Sequence, residues 1–157
     1  MLERLIQLTP PNKIEDIIRT DNFGIFRWAA RYGYYQMMER FIAVLPNEAR
    51  NMIRAENYYA FRAVIAGGQF HVMERLMALV DSDNIKAMIC AHDYGAFREV
   101  ARHGHLELME RLIVLAPNEV LNMIRAKDYC AFRLAAFHEH LPMMERLMEL
   151  ASMKFKI

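Results

Sequence analysis

Apolar residues recur along this chain at the i, i+3 and i+4 spacing of a helix that buries one face. The spacing is first seen at Ile14, Ile17 and Ile18. It returns in the same register as Ala49, Met52 and Ile53, as Ile85, Met88 and Ile89, and as Val120, Met123 and Ile124. Pro or Asp together with Asn precedes the last three stripes, which suits helix starts. The pattern therefore predicts a short helix at each of the four places.

Two further apolar segments follow each stripe. The second segment starts at an Asn or Asp that we expect to cap its helix, and it continues through an aromatic residue and a Phe-Arg pair. It ends at a glycine in three cases (Gly33, Gly68 and Gly104), whereas Glu139 takes this place in the fourth, where we expect an irregular turn. The third segment is best seen from Leu106 to Leu115. Each block therefore predicts three short helices and no strand.

The three segments repeat at a fixed period. Phe-Arg pairs begin at Phe26, Phe61, Phe97 and Phe132, and Glu-Arg pairs at Glu3, Glu39, Glu74, Glu110 and Glu145, so that the steps are 35 or 36 residues. A period of this length indicates an array in which each unit contacts only its neighbours. We predict one all-α solenoid domain over residues 1–153. It comprises a half-unit at 1–11, units near 12–46, 47–81, 82–117 and 118–153, and a tail at 154–157.

Residues Gly95 to Leu112 resemble an ankyrin repeat. Gly104-His105-Leu106-Glu107 before an apolar helix is similar to that family's inter-helix turn, and Gly95-Ala96-Phe97-Arg98 keeps only the apolar third position of its tetrapeptide. The units exceed the family's usual length of about 33 residues, and a short helix takes the place of the β-hairpin finger. The resemblance implies helix pairs with a concave face, a structural turn histidine at His105 and His140, and a non-enzymatic protein-binding module.

Composition excludes several other classes of protein. Twenty basic and 19 acidic residues give a formal net charge of +1, so nothing draws the chain generally toward nucleic acid or anionic lipid. No apolar run reaches the roughly 18 residues of a membrane span. Cys90 and Cys130 suggest neither a disulfide framework nor a metal cluster. We therefore expect a cytoplasmic protein with no cofactor, no metal, and no nucleic-acid or membrane partner.

Residues that recur in every unit are better candidates for packing than for chemistry. The arginines Arg27, Arg62, Arg98 and Arg133 could form a basic ladder, but we favour bridges between neighbouring units. The aromatic series Phe23, Tyr58, Tyr94 and Tyr129 is likewise predicted to pack between units. His103 and His105 are two residues apart, which is not the ligand spacing of a helical metal site. We find no catalytic arrangement of residues.

Residues that vary between units are the candidates for binding. By the family analogy they face the concave side: Trp28, Arg31 and Tyr32, then Ala63, Ala66 and Gly67, then Glu99, Arg102 and His103, and last Leu134, Phe137 and His138. Trp, Tyr and Arg are enriched at binding hot spots. We predict a partner-binding surface whose aromatic, partly basic ends flank a shallow middle formed by the second group. Core filling by Trp28 is an equally weighted alternative.

Three other interpretations stay open. The chain could be the targeting domain of a larger effector, because divergent ankyrin arrays of this kind resemble those of intracellular bacteria and giant viruses; its site would then be the host cytoplasm. It could bind single-stranded RNA, because pentatricopeptide arrays also have a period near 35, although they are usually basic. It could form a homodimer, since Leu2, Leu5 and Ile6 belong to an end without an obvious polar cap.

Overall fold

The computed structural model describes Arg4 and residues 7–153. Within these residues it contains eight α-helices, two short 3-10 turns (Pro46–Glu48 and Pro117–Glu119) and no strand. The helices are α1 Pro11–Tyr32, α2 Tyr35–Val44, α3 Ala49–Ala66, α4 Phe70–Ala78, α5 Ser82–His103, α6 Leu106–Leu115, α7 Val120–Phe137 and α8 Leu141–Met153. We call each long helix together with the short helix after it a unit. The half-unit predicted at 1–11 rests largely on residues outside the described part, as do Leu2, Leu5, Ile6 and the tail 154–157.

Each long helix consists of two helices joined by a left-handed turn. The turn comprises three consecutive residues whose φ angles lie between 49° and 60°. Its members are Asp21, Asn22 and Phe23 in α1, Glu56, Asn57 and Tyr58 in α3, His92, Asp93 and Tyr94 in α5, and Lys127, Asp128 and Tyr129 in α7. With the short helix that follows, every unit has three helical segments. The predicted all-α solenoid with three helices per unit is therefore confirmed.

The Asn or Asp before each aromatic residue has a different role from the one expected. An N-cap residue is extended and accepts a hydrogen bond from the start of its helix. Asn22, by contrast, is the middle residue of the left-handed turn, with φ 50° and ψ 55°, and its side-chain amide donates to Glu56 of the next unit at 3.0 Å. The N-cap prediction is wrong. Asn and Asp fit instead because they tolerate this conformation better than other residues with a side chain.

The recurring arginines close the left-handed turn of their own unit. Each guanidinium donates to a backbone carbonyl in the turn: Arg27 to Asp21 at 2.7 Å, Arg62 to Asn57 at 3.0 Å, Arg98 to His92 at 2.8 Å and Arg133 to Lys127 at 3.1 Å. The prediction that these arginines bridge neighbouring units is wrong. Their structural role is local, because it satisfies a carbonyl that the break in the helix leaves without its usual partner.

The long helices pack side by side in chain order, and each short helix packs on the long helix of its own unit. Phe26, Phe61 and Phe97 are fully buried in the resulting core. In the second and third units the aromatic residue of the turn lies between units, as predicted, whereas Tyr129 of the fourth unit is 52% exposed. The Tyr58 hydroxyl donates to Asn84 at 3.2 Å, and the Tyr94 hydroxyl donates to Glu119 at 2.7 Å, each in the following unit.

Neighbouring units are also joined by charge. In three of the recurring Glu-Arg pairs the Glu accepts two hydrogen bonds from the guanidinium of the next unit: Glu39 from Arg75, Glu74 from Arg111 and Glu110 from Arg146. Forked pairs of this kind add geometric specificity as well as energy. We call these three pairs the inter-unit ladder. It gives a physical role to the Glu-Arg motif, for which the sequence alone suggested none.

The turn after each long helix brings two units into close contact. His105 lies 3.1 Å from the carbonyl oxygen of Ala66, and a Cβ atom built on Gly68 would meet its ring at 2.7 Å. Gly68 is therefore needed both for its φ of 68° and for space. Glu139 adopts the same left-handed conformation, with φ 58°. The two residues after it donate the same backbone hydrogen bonds as the two residues after Gly68. The prediction of an irregular turn at Glu139 is therefore wrong.

The left-handed turn reverses the usual order of Gly and Ala. In a right-handed helix Ala is more stable than Gly by about 1 kcal/mol, but a left-handed L-residue costs about 1–2 kcal/mol that Gly avoids. Lys127 is exposed, and either substitution removes its ion pair with Asp93 equally. We expect Lys127→Gly to be more stable than Lys127→Ala by about 1 kcal/mol, measured by urea unfolding. Glu145, exposed within α8, should show the opposite order; the same order at both positions would contradict the turn.

The inter-unit ladder should make the fold acid-sensitive. Hydrogen bonds from Arg75 and Arg111 hold the pKa values of Glu39 and Glu74 below their ordinary range. A lowered folded-state pKa stabilises the fold above the unfolded pKa, near 4.3, and this contribution disappears as the pH falls through the folded pKa.

We therefore expect Glu74→Gln to be less stable than the wild type at pH 7, by less than about 1 kcal/mol because the pair is one-third exposed. Between pH 5 and pH 3 the variant should lose less stability than the wild type. Urea midpoints at both ends of that range measure the difference. Glu107→Gln, at an exposed position on α6, is the control and should follow the wild type. Parallel pH profiles for Glu74→Gln and the wild type would argue against the ladder.

Candidate functional site

The second halves of the four long helices line an open groove of about 760 Å³. The residues that line it come from all four units: Arg31, Tyr59, Arg62, Ala63, Ala66, Gly67, His92, Gly95, Arg98, Glu99, Arg102, His103 and Leu134. The left-handed turn places these halves side by side, since it ends the first helical segment and starts the second in the same register in every unit. The groove thus runs across the stack and crosses every unit boundary.

The structure brings part of the predicted site together in this groove. Arg31, Glu99, Arg102, His103 and Leu134 all line it. The small residues predicted for a shallow middle, Ala63, Ala66 and Gly67, line it as well. The remaining predicted residues, Trp28, Tyr32, Phe137 and His138, lie outside the groove lining and belong to its two ends.

The end formed by the first unit is aromatic. The Trp28 side chain is 61% exposed, so the alternative that it fills the core is wrong. Its ring centroid lies 5.6 Å from that of Tyr32, which in turn lies 6.1 Å from that of Tyr34. We call these three residues the aromatic cluster. They line a cleft of about 400 Å³ together with Ile25, Ala29 and Met37.

The end formed by the fourth unit also exposes an aromatic side chain. Phe137 is 81% exposed, and the His138 ring packs against it at a centroid distance of 5.1 Å. His138 stacks in turn on His140 at 6.0 Å. Large exposed aromatic residues are therefore present at both ends of the groove. Their positions are occupied by smaller or polar residues in other units, so that packing of the stack does not require them.

The middle of the groove is basic. Arg62 and Arg98 line it with Arg31 and Arg102, and Glu99 is the one carboxylate among the lining residues. Burial lowers the pKa of Arg62, and repulsion from Arg98 adds to this effect, although Glu99 opposes it. Sequence reasoning missed Arg62 and Arg98 because it assigned every recurring arginine to packing. The available signal was that these arginines recur at one position in every unit. A side chain that holds its own turn can also face the groove.

His103 and Glu99 contribute a polar edge. The Nε2 atom of His103 lies 3.5 Å from a Glu99 carboxylate oxygen, and its ring stacks on His105 at 5.8 Å. Burial lowers the pKa of His103 below its ordinary value, although the neighbouring Glu99 opposes this shift. The described residues contain no group of three or more His, Cys, Asp or Glu side chains that could hold a metal ion.

A solenoid of stacked helical units with a groove across them is a helical-repeat scaffold. No protein-family model matches the chain, and no curated protein gives a significant match. The chain is similar to the X-ray structure of an ankyrin repeat family protein from Legionella pneumophila, with 40% sequence identity and a TM-score of 0.69. The match covers 78% of this chain and 35% of that one. The chain therefore has an ankyrin-repeat-like fold, and it spans about a third of that relative's length. Within the described residues no helix is long and apolar enough to cross a membrane.

Fluorescence can test the environment of the aromatic cluster, because Trp28 is the one tryptophan in the chain. Arg31 lies one helical turn further on, so the local potential around Trp28 should be positive over the Debye length of about 10 Å. We expect iodide to quench the emission more steeply than caesium at constant ionic strength. Arg31→Gln should narrow that difference, whereas Arg54→Gln, remote from the cluster, should not. Equal quenching by both ions in the wild type would contradict a positive potential from Arg31 around Trp28.

Proposed function

We propose that the chain binds a partner protein through the groove and the aromatic residues at its two ends. Ankyrin-repeat proteins serve as protein-interaction modules and are in general not enzymes. The observation that carries the proposal is the exposure of Trp28 and Phe137, at 61% and 81%. Neither side chain is needed to bury the core, and each is available to a partner.

The proposed site separates binding from stability. The residues that join units are already engaged, as the hydrogen bonds of Tyr94 and of the inter-unit ladder show. Trp28, Phe137, Arg31 and Arg102 are exposed instead. Burying a large apolar side chain contributes about 1.5–3 kcal/mol, and exposed aromatic and Arg residues are the usual anchors of protein interfaces. The two aromatic residues could therefore supply a large share of the binding energy.

We expect the double substitution of Trp28→Ala with Phe137→Ala to abolish partner binding and to leave the far-UV circular dichroism unchanged. Ligands can be obtained without assuming their chemistry, by selection from a random peptide display library against the wild-type chain. Affinities of the selected peptides for both proteins are then compared by fluorescence polarisation. The physical reason is that both anchors are lost while the core stays intact.

The matched control is Ile17→Ala with Val114→Ala. These are also large exposed apolar residues, at 50% and 66%, but neither lines the groove. The control should bind the selected peptides like the wild type. Peptides that bind the Trp28 and Phe137 variant with unchanged affinity, or that lose affinity for the control instead, would overturn the site assignment.

Binding of single-stranded RNA is the second candidate. Basic grooves with exposed aromatic residues can follow a nucleic-acid backbone and stack its bases, and Arg62, Arg98 and Trp28 provide both kinds of group. Against it, the middle of the groove has small side chains at Ala63 and Ala66, where a base reader needs polar groups. Filter binding at low salt tests it, and retained RNA would favour it over a protein partner. A targeting role in a larger bacterial or viral effector stays a prediction.

A further inference from the structure

We infer that the groove receives an extended, acidic segment of the partner protein. This inference deepens the proposed function and rests on it. It concerns the middle of the groove, whereas the proposed function rests on the aromatic residues at the ends. The two can therefore be tested by different substitutions.

The groove contains more positive charge than its single carboxylate can balance. Among the described residues, none of Arg31, Arg62, Arg98 and Arg102 forms an ion pair, and Glu99 is the single acid that lines the groove with them. Many basic residues elsewhere do have acidic partners, namely Arg19, Arg27, Arg50, Arg75, Lys86, Arg111, Lys127 and Arg146. The excess positive charge of the groove is therefore a local property, since the whole chain has a formal net charge of +1.

Two of these arginines are held in place by contacts within the chain. Arg62 and Arg98 each donate to a carbonyl of their left-handed turn, and the Arg62 guanidinium also lies over the Tyr59 ring at 5.9 Å. A Cβ atom on Gly95 would meet the Arg62 side chain at 2.9 Å, so a glycine provides the room it occupies. A guanidinium has five N–H donors in a fixed plane. The remaining donors can therefore bind a carboxylate with little further loss of side-chain entropy.

Arg62 is partly buried, and this burial lowers its pKa; Glu99 and Tyr59 oppose the shift, whereas the neighbouring Arg98 adds to it. A carboxylate placed between the two guanidinium groups would relieve their repulsion. Because Arg presents a planar fork, it is the residue suited to binding carboxylates through two hydrogen bonds. An acidic side chain of the partner would therefore complement the four arginines that line the groove with Glu99.

The dimensions of the groove set the length of the segment. Its arginines come from three consecutive long helices, whose axes in such packing lie about 10 Å apart, so they span about 20 Å. An extended chain rises about 3.3 Å per residue, and about six residues cover that distance. Arg31 lies over the Tyr32 ring at 5.9 Å and so links the basic middle to the aromatic cluster. The segment should therefore combine acidic residues with an apolar residue at one end.

The test uses the whole chain and a fluorescein-labelled peptide of alternating Glu and Ala, about twelve residues long, which exceeds the span of the groove. Fluorescence polarisation should show binding that weakens as NaCl rises, because the contacts are ionic. Peptides of the same length with Gln or Lys in place of Glu should not bind. Equal binding of the Gln peptide would overturn the inference, as would binding of the Glu peptide that does not change with salt.

The main variant is Arg31→Gln with Arg102→Gln, since both side chains are exposed and neither holds a left-handed turn. It should bind the Glu peptide about tenfold more weakly, as expected for the loss of two exposed charge contacts. The control is Arg54→Gln with Arg125→Gln, which removes the same charge from exposed positions outside the groove. It should keep the wild-type affinity. Equal losses in the two variants would mean that net charge alone causes binding, and would overturn the inference.

The library-selected peptides test the proposed function and the acidic segment separately. Peptides that require Trp28 and Phe137, are rich in Asp and Glu, and lose affinity for the Arg102→Gln variant support both the proposed function and the acidic segment. Peptides that require Trp28 and Phe137 but have no acidic excess and ignore Arg102→Gln leave the proposed function standing and overturn the acidic segment. Single-stranded RNA that binds the wild type while the Glu peptide does not would overturn it in favour of a nucleic acid.

Discussion

The three-residue left-handed turn is the constraint on which the rest of this structure depends. For L-residues this conformation costs about 1–2 kcal/mol each, and a bulky aromatic residue such as Tyr58 or Tyr94 rarely adopts it. The chain nevertheless repeats the turn in α1, α3, α5 and α7. Such strain persists only where the surroundings fix it. Here the surroundings are an arginine from the same unit and packing between units.

The turn connects stability to the proposed binding site. In the second and third units its aromatic residue is directed into the unit interface, where Tyr58 and Tyr94 each reach a polar side chain of the next unit. The arginine four residues later reaches back to a carbonyl of the turn from the groove side, as Arg62 and Arg98 do. A single local conformation therefore fixes both the stacking of units and the position of two groove cations. The groove arginines belong to the structure of the turn as well as to the surface.

The sequence could predict what depends on period and burial. The 35- or 36-residue steps, the three apolar segments per unit and the buried Phe61 and Phe97 all follow from patterns along the chain. The left-handed turn does not, because an Asn or Asp before an aromatic residue fits an N-cap equally well, and only the three-dimensional packing decides between the two. The inter-unit ladder could not be predicted from the sequence for another reason. Glu74 pairs with Arg111, 37 residues away, rather than with a neighbour on its own helix.

Net charge was the least informative of the sequence properties, and the structure gives the physical reason. The carboxylates of Glu39, Glu74 and Glu110 are engaged by arginines of the following units. Three carboxylates near helix starts are paired as well, namely Glu48 with Arg19, Asp81 with Arg50 and Glu119 with Lys86. The groove is made from the opposite halves of the long helices, whose lining residues include four arginines and one glutamate. A repeat array can therefore be nearly neutral as a whole and still present one basic surface. The reason is that ion pairs between units engage many of its carboxylates away from that surface.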